Sequence, residues 1–340
     1  MARVFASIFA FALMFLSGCA PLVSVDIPDK SPVIREFTAR DAIEVLGLPR
    51  MANAASLEAK FSGLRSYLVP QFAEALSLVR AGEAVSGGAT AKGVTVFVID
   101  DFSVFRFKDG RYHGDYVSAL IKLIAPDATV LTCDAWKSDL GECLFEANRL
   151  AAQKKIHVVN MSLGIVGTYC EFVGQNFEGA EIIQLDRMPE AETSIYEPSY
   201  FMEPSQAEAL EHWVLELRQK GVTVISSAGN DGYRRGAKAP GCWSSAAVGA
   251  VYDANFTRVD WKACTDENVN PDDRTCWSNY GQIFAPGARI DNVFEGGISF
   301  NGTSAAAPIA SGVAALVIGT KGLKGDAVAE QLRSTSDVIP

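Results

Sequence analysis

The 340-residue chain has no cluster of Lys and Arg anywhere along its length, and its 40 acidic residues outnumber its 30 basic ones, giving a formal net charge of −10. A protein that grips phosphate backbones gathers cations on one face. Nucleic acid is therefore excluded as a partner. None of the cysteines falls in the C-x-x-C spacing of a zinc site, so no metal site is expected from them. No loop follows a calcium-binding pattern either, although the acidic residues Asp266, Glu267, Asp272 and Asp273 leave structural calcium open. The composition is not that of a disordered chain: 49% of residues are hydrophobic and 21% charged, enough apolar material for a sizeable core. The length suits one large domain with an extension.

The N-terminus carries Arg3, an apolar run from Val4 to Leu16, and the small residues Ser17 and Gly18 before Cys19. That order is the plan of a secretory signal, and the run is too short to cross a bilayer as a helix. The string LSGC followed by Ala20 resembles the lipobox of bacterial lipoproteins, which implies that residues 1–19 are a signal peptide and that Cys19 is the lipidated first residue of the mature protein. The resemblance places the protein in the cell envelope, anchored by lipid and facing the periplasm or exterior, with the outer membrane as its bacterial site. An ordinary signal peptide cut nearby is the alternative, and it too exports the chain. Exported thiols usually pair. Apart from Cys19 there are Cys133, Cys143, Cys170, Cys242, Cys264 and Cys276. The local pairs Cys133–Cys143 and Cys264–Cys276 are favoured, leaving Cys170 with Cys242, although the spacing alone does not decide the connectivity.

Residues 20–35, with three prolines and no periodicity, read as a tether. From Thr38 to Ala84 apolar residues recur at three- and four-residue spacings, as in Ala42, Ile43, Val45 and Leu46, so residues 36–92 read as a helical extension or propeptide-like segment ending in a Gly/Ala-rich linker near 82–93. Beyond Gly93 the character changes. VTVFVID is a continuous β-branched run of the kind buried on both faces of a parallel sheet. ATVLTC, IHVVNMSLG and VTVISSAGN follow, each after a helical segment. Strands alternating with such helices predict an α/β domain over 93–340, a doubly wound and mostly parallel sheet flanked by helices. Functional groups in such sheets gather at the carboxyl ends of strands.

Polar residues fall at those ends. VFVIDDF ends at Phe102, HGDYVSALI starts at His113, and GTSAAAP runs from Gly302 to Pro308. Between them stand NMSLG, residues 160–164, and SSAGN, residues 226–230, with SNYG (278–281) and APG (285–287) before the serine. Taken singly, each string has a bland reading as a strand end, cap or turn. The conjunction, in the chain order Asp, His, Ser, resembles the subtilisin-like serine proteases, the subtilase family, from about Gly93 onward.

The resemblance implies a subtilisin-like fold and peptide-bond hydrolysis on polypeptide substrates, with no cofactor for the chemistry. It implies a triad of Asp100, His113 and Ser304. Asn230 becomes a donor to the oxyanion hole. Ser162, Leu163, Gly164, Ala228 and Gly229 line the peptide cleft. Each residue type suits its place: a serine hydroxyl needs a base, an imidazole can take and return its proton, and a buried carboxylate fixes the tautomer. Alternation along VTVFVID puts Asp100 on one face with Val96 and Val98, and Asp101 on the other. The sequence departs from the family at Asp101 and Phe102, where Ser/Thr-Gly is usual, and at Tyr116, Ala305 and Ile309. It also has a long insertion around 167–208 whose acidic residues, Glu171 and Glu181 among them, read more simply as a solvated surface than as a selector of basic substrates. A non-catalytic binder and an esterase using the same triad are the rivals.

Overall fold

The computed structural model describes residues 32–46, 79–165, 168–172, 180–184, 199–200, 204–252, 256–261, 264–270, 273–288 and 300–336. Cys19, the rest of 1–31, residues 47–78 and most of the insertion lie outside the described residues. The described residues all fall within one compact unit.

A short strand β1 (Ile34–Glu36) leads into helix α1 (Ala39–Val45), whose start is fixed by a reciprocal cap: Asp41 N donates to Thr38 Oγ1, and Thr38 N donates to Asp41 Oδ2. The stretch that composition marks as linker instead forms a helical turn, α2 (Ala81–Ser86), followed by a loop whose Ala91 is fully buried. The chain then alternates as its apolar runs predict: β2 (Thr95–Asp100), α3 (His113–Ile124), β3 (Thr129–Asp134), the turn α4 (Ala135–Ser138), α5 (Leu140–Ala152) and β4 (Val158–Met161). Short strands β5 (Gly164–Ile165), β6 (Thr168–Phe172), β7 (Ala180–Gln184) and β8 (Ser199–Tyr200) precede α6 (Pro204–Gln219) and β9 (Thr223–Ser227). Strands β10 (Gly236–Lys238), β11 (Ala246–Tyr252), β12 (Phe256–Trp261), β13 (Cys264–Val269) and β14 (Ile283–Ala288) follow, then α7 (Thr303–Lys321) and α8 (Asp326–Thr335).

Seven strands form the main sheet in the order β1-β3-β2-β4-β9-β11-β14. All neighbours are parallel except β1, which runs antiparallel to β3. The chain moves from β2 to β3 on one side and returns to β4 on the other, so the carboxyl end of β2 is the switch point where an open sheet leaves a crevice. Alternation sorts β2 between two cores. Val96 and Val98 join α3 and α7 on one face, while Phe97 and Ile99 join α5 and α6 on the other. Both faces are covered, which is why the strands read as unbroken apolar runs.

Helix α7 is apolar around most of its circumference because it is a core helix. Gly312 lets it close on α3, since a Cβ there would stand 2.5 Å from Ile124 Cβ. At the other end His113 meets Phe300 edge to face at 5.1 Å. Contacts at 113 with 300 and at 124 with 312 make the two helices run side by side in the same direction, bringing their N-termini to one place. Phe37, Ala42, Ile43, Val45 and Leu46 sit in the same core as these helices, so β1 and α1 are built into the body.

Disulfides join Cys133 to Cys143 and Cys170 to Cys242, with Cα–Cα distances of 5.8 and 5.6 Å, in the expected pairing. Cys276 is also disulfide-bonded. The side chain of Cys264, its expected partner, lies outside the described residues. So do Asp272 and the side chains of Asp266 and Glu267, whereas the Asp273 carboxylate accepts from the backbone and side-chain nitrogens of Asn270.

Candidate active site

Asp100 ends β2 on the face of α3 and α7, fully buried, and its Oδ1 lies 2.6 Å from His113 Nδ1. The same oxygen accepts from Asp101 N at 2.7 Å. Burial pushes the Asp100 carboxyl up from its ordinary value, while the neighbouring His113 pulls the other way. Asp101 faces elsewhere and does different work. Its carboxylate accepts from the backbone N–H groups of Ser103, Val104 and Phe105 at 2.6–2.9 Å, folding the short loop between β2 and α3 around itself. This is a concrete reason for an aspartate where the family has Ser or Thr.

His113 is the first residue of α3, and the helix start is prepared by Asp115, whose carboxylate accepts from Tyr112 N at 2.9 Å. Gly114 is needed for contact: a Cβ there would lie 2.5 Å from the Phe102 ring. The imidazole is almost wholly buried and is walled by Phe300, on which Tyr116 stacks at 5.3 Å. Tyr116 Oη donates to Asp109 Oδ2 at 2.5 Å. Burial and that carboxylate both push the Tyr116 phenol up, so it stays a neutral donor. The Tyr116 departure thus places a large ring behind the histidine. The sequence carried no signal for Phe300's part in this wall.

Ser304 is the second residue of α7, after Gly302 with φ of 124°, a left-handed conformation that suits glycine. In this structure its hydroxyl donates to the Ser162 carbonyl at 3.1 Å. At this position in the first turn the Ser304 N–H has no intrahelical acceptor. The register Met161↔Ser226 between β4 and β9 makes the strings after them, 162–164 and 227–230, emerge side by side. Ser227 Oγ donates to Leu163 O at 3.1 Å and ties them together. Asn160 anchors the first to α7 through Ser311 Oγ at 3.0 Å, and Ser162 Oγ donates back to Asn160 Oδ1 at 3.2 Å.

Asn230 is held by its oxygen. Oδ1 accepts from Thr303 N at 2.8 Å and Thr303 Oγ1 at 3.0 Å, which orients the NH2 end by exclusion. Thr303 also accepts from Gly229 N at 3.1 Å. Asn279, read in the sequence only as part of SNYG, proves to be the clamp for this loop. It is fully buried, accepts from Asp231 N and Tyr233 N at 3.0 and 2.8 Å, and donates to Ala228 O at 2.9 Å.

A histidine backed by a buried carboxylate, a serine at the start of the neighbouring helix and an amide held against that serine's helix start stand in one region of the fold, at the carboxyl end of the sheet. A subtilase-family profile matches residues 91–336, most of the chain, and the protein belongs to the subtilase family. It is 26% identical over 277 residues to M-protease of Shouchella clausii, covering 71% of this chain but only 58% of that one. It is 25% identical over 277 residues to Subtilisin Savinase of Lederbergia lenta, covering 71% and 82%. A solved lanthipeptide protease superposes with a TM-score of 0.50 at 18% identity, over 78% of this chain and 88% of that one, a likeness of fold.

Proposed function

We propose that this chain is a serine endopeptidase, cleaving peptide bonds through an acyl-enzyme, and that it works exported and held to a membrane by lipid on Cys19. The observation that carries the catalytic part is the buried 2.6 Å contact between Asp100 Oδ1 and His113 Nδ1 at the start of the helix beside α7. With Nδ1 held by the carboxylate, Nε2 is left to act as base. Attack requires the Ser304 hydroxyl to leave the Ser162 carbonyl and give its proton to Nε2 as Oγ bonds to the substrate carbonyl carbon. The oxyanion receives hydrogen bonds from Asn230 Nδ2 and from the Ser304 N–H at the positive end of α7. Collapse returns the proton from His113 to the leaving amine. Water then repeats the sequence on the acyl-enzyme. Apart from the hydrolytic water, every catalytic group in these steps belongs to the chain, so the chemistry asks for no cofactor.

The test is labelling of the purified protein with a fluorophosphonate, alongside cleavage of casein and of a simple ester. Labelling and casein cleavage that both vanish in Ser304→Ala are expected. Ester hydrolysis without cleavage of any peptide would make the chain an esterase, and absence of labelling would make it a non-catalytic binder.

A further inference from the structure

Lys238 is a cation where the fold has little reason to keep one. It ends β10 with only 3% of its side chain exposed. Its backbone N–H donates to Ala228 O at 2.8 Å. Its aliphatic stem lies between the two strings beside Ser304: a Cβ on Gly164 would stand 2.9 Å from Lys238 Cδ, and one on Gly229 3.0 Å from Lys238 Cβ. An ammonium has three N–H donors to satisfy. Among the described residues this one makes no hydrogen bond, and its nearest counter-charge is Asp231 Oδ2 at 3.6 Å. That oxygen is itself engaged, accepting from Asn279 Nδ2 at 3.2 Å. A buried charge with unfilled donors is costly and belongs where something fills them.

The position says what that is. Ser304 Oγ touches the carbonyl of Ser162, two residues before Gly164, and Asn230 stands next to Gly229. A substrate residue whose carbonyl carbon lies on Ser304 and whose oxygen points at Asn230 is wedged between the two strings that the Lys238 stem also fills. We infer that Lys238 determines specificity for the residue on the acyl side of the scissile bond, selecting a carboxylate-bearing side chain, glutamate or aspartate, whose oxygens accept the ammonium's N–H groups. The inference rests on the endopeptidase reading above. Asp231 tempers the selection: it neutralises the ammonium in the empty site, and its removal would strengthen the pull on an anion.

The test compares kcat/KM for two fluorogenic peptides that differ only by Glu or Gln at that residue, so that shape is constant and charge alone is read, with fluorophosphonate labelling run in parallel. The wild type is expected to favour Glu by on the order of 10–100-fold, the range a hydrogen bond to a charged group supplies. Lys238→Met should bring the ratio to about one or below, Lys238→Arg should preserve it, and Asp231→Asn should raise it. If Lys238→Met fails to fold around the unpaired Asp231, the double variant with Asp231→Asn removes both charges and should also show no preference. A protein that labels but cleaves the Gln peptide as well as the Glu peptide, or a ratio unmoved in the double variant, overturns the inference and leaves the endopeptidase reading standing. No labelling and no cleavage of either peptide removes both.

Discussion

Replacing Asp100 with Asn separates the two adjacent aspartates. The carboxylate faces an imidazole that becomes a cation during the reaction, with charge centres about 4 Å apart, a separation worth about 4 kcal/mol at the effective dielectric of protein sites. Asn removes that attraction. If its amide nitrogen turns toward His113 it also donates to Nδ1, moving the imidazole proton to Nε2, where it blocks acceptance of the Ser304 proton. The two effects together correspond to about 10⁴ in kcat, the size known for this substitution in the Ser-His-Asp template. Asp101→Asn leaves one acceptor oxygen for loop amides now shared between two, loosening the 103–105 turn, and should change kcat by less than about tenfold. Steady-state kinetics on one peptide decides the matter, with thermal melts to confirm folding. A large loss at Asp101 and a small one at Asp100 would refute the assignment. There is a second readout. Because burial lifts the Asp100 carboxyl above its ordinary value, its ionisation disfavours the folded state. Stability tied to the protonated form is present at low pH and lost as pH rises through the folded pKa, so wild-type stability relative to Asp100→Asn should decline as pH rises above the ordinary carboxylate range.

Asn230→Ala should lower kcat by about 10²–10³ with little change in KM, the magnitude known for removal of an oxyanion-hole donor; unchanged kcat would take Asn230 out of the site. Phe37→Ala, at a ring 2% exposed in the main core, should cost about 3–5 kcal/mol in denaturant unfolding, whereas a removable leader would show almost no loss. Cys19→Ser should move the protein from the membrane fraction to the soluble one, and a mutant that stays with membranes would point to another anchor.

Much of the fold was legible because its main strands are buried on both faces and its helices lie between them. Alternation alone put Asp100 with Val96 and Val98, on the face where His113 is found. What escaped depends on contacts between distant segments. IHVVNMSLG reads as one apolar run but divides into β4 and β5 around Ser162 and Leu163, because the first half pairs in the main sheet and the second with β8. Asn279 sits in a polar turn with no periodicity, and only its bonds to 228–233 reveal its part. Lys238 is one cation in AKAPG until its pairing with Tyr169 sets it against Gly164. The helical spacing around Ala42 foretold α1 but not its membership of the main core, which is settled by packing against α3.

The direction of β1 has a geographical consequence. Running antiparallel to β3, with Ile34 opposite Cys133, it starts at the carboxyl edge of the sheet, the edge that carries Asp100. Strand β1 therefore begins on the cleft side of the body. If Cys19 carries a lipid, the stretch from Cys19 to Ile34 can pay out no more than about 50 Å when drawn straight. The enzyme would work as a grazing animal on a short rope, confined to polypeptides that come within that radius of the bilayer and meeting them at a local concentration set by the leash length.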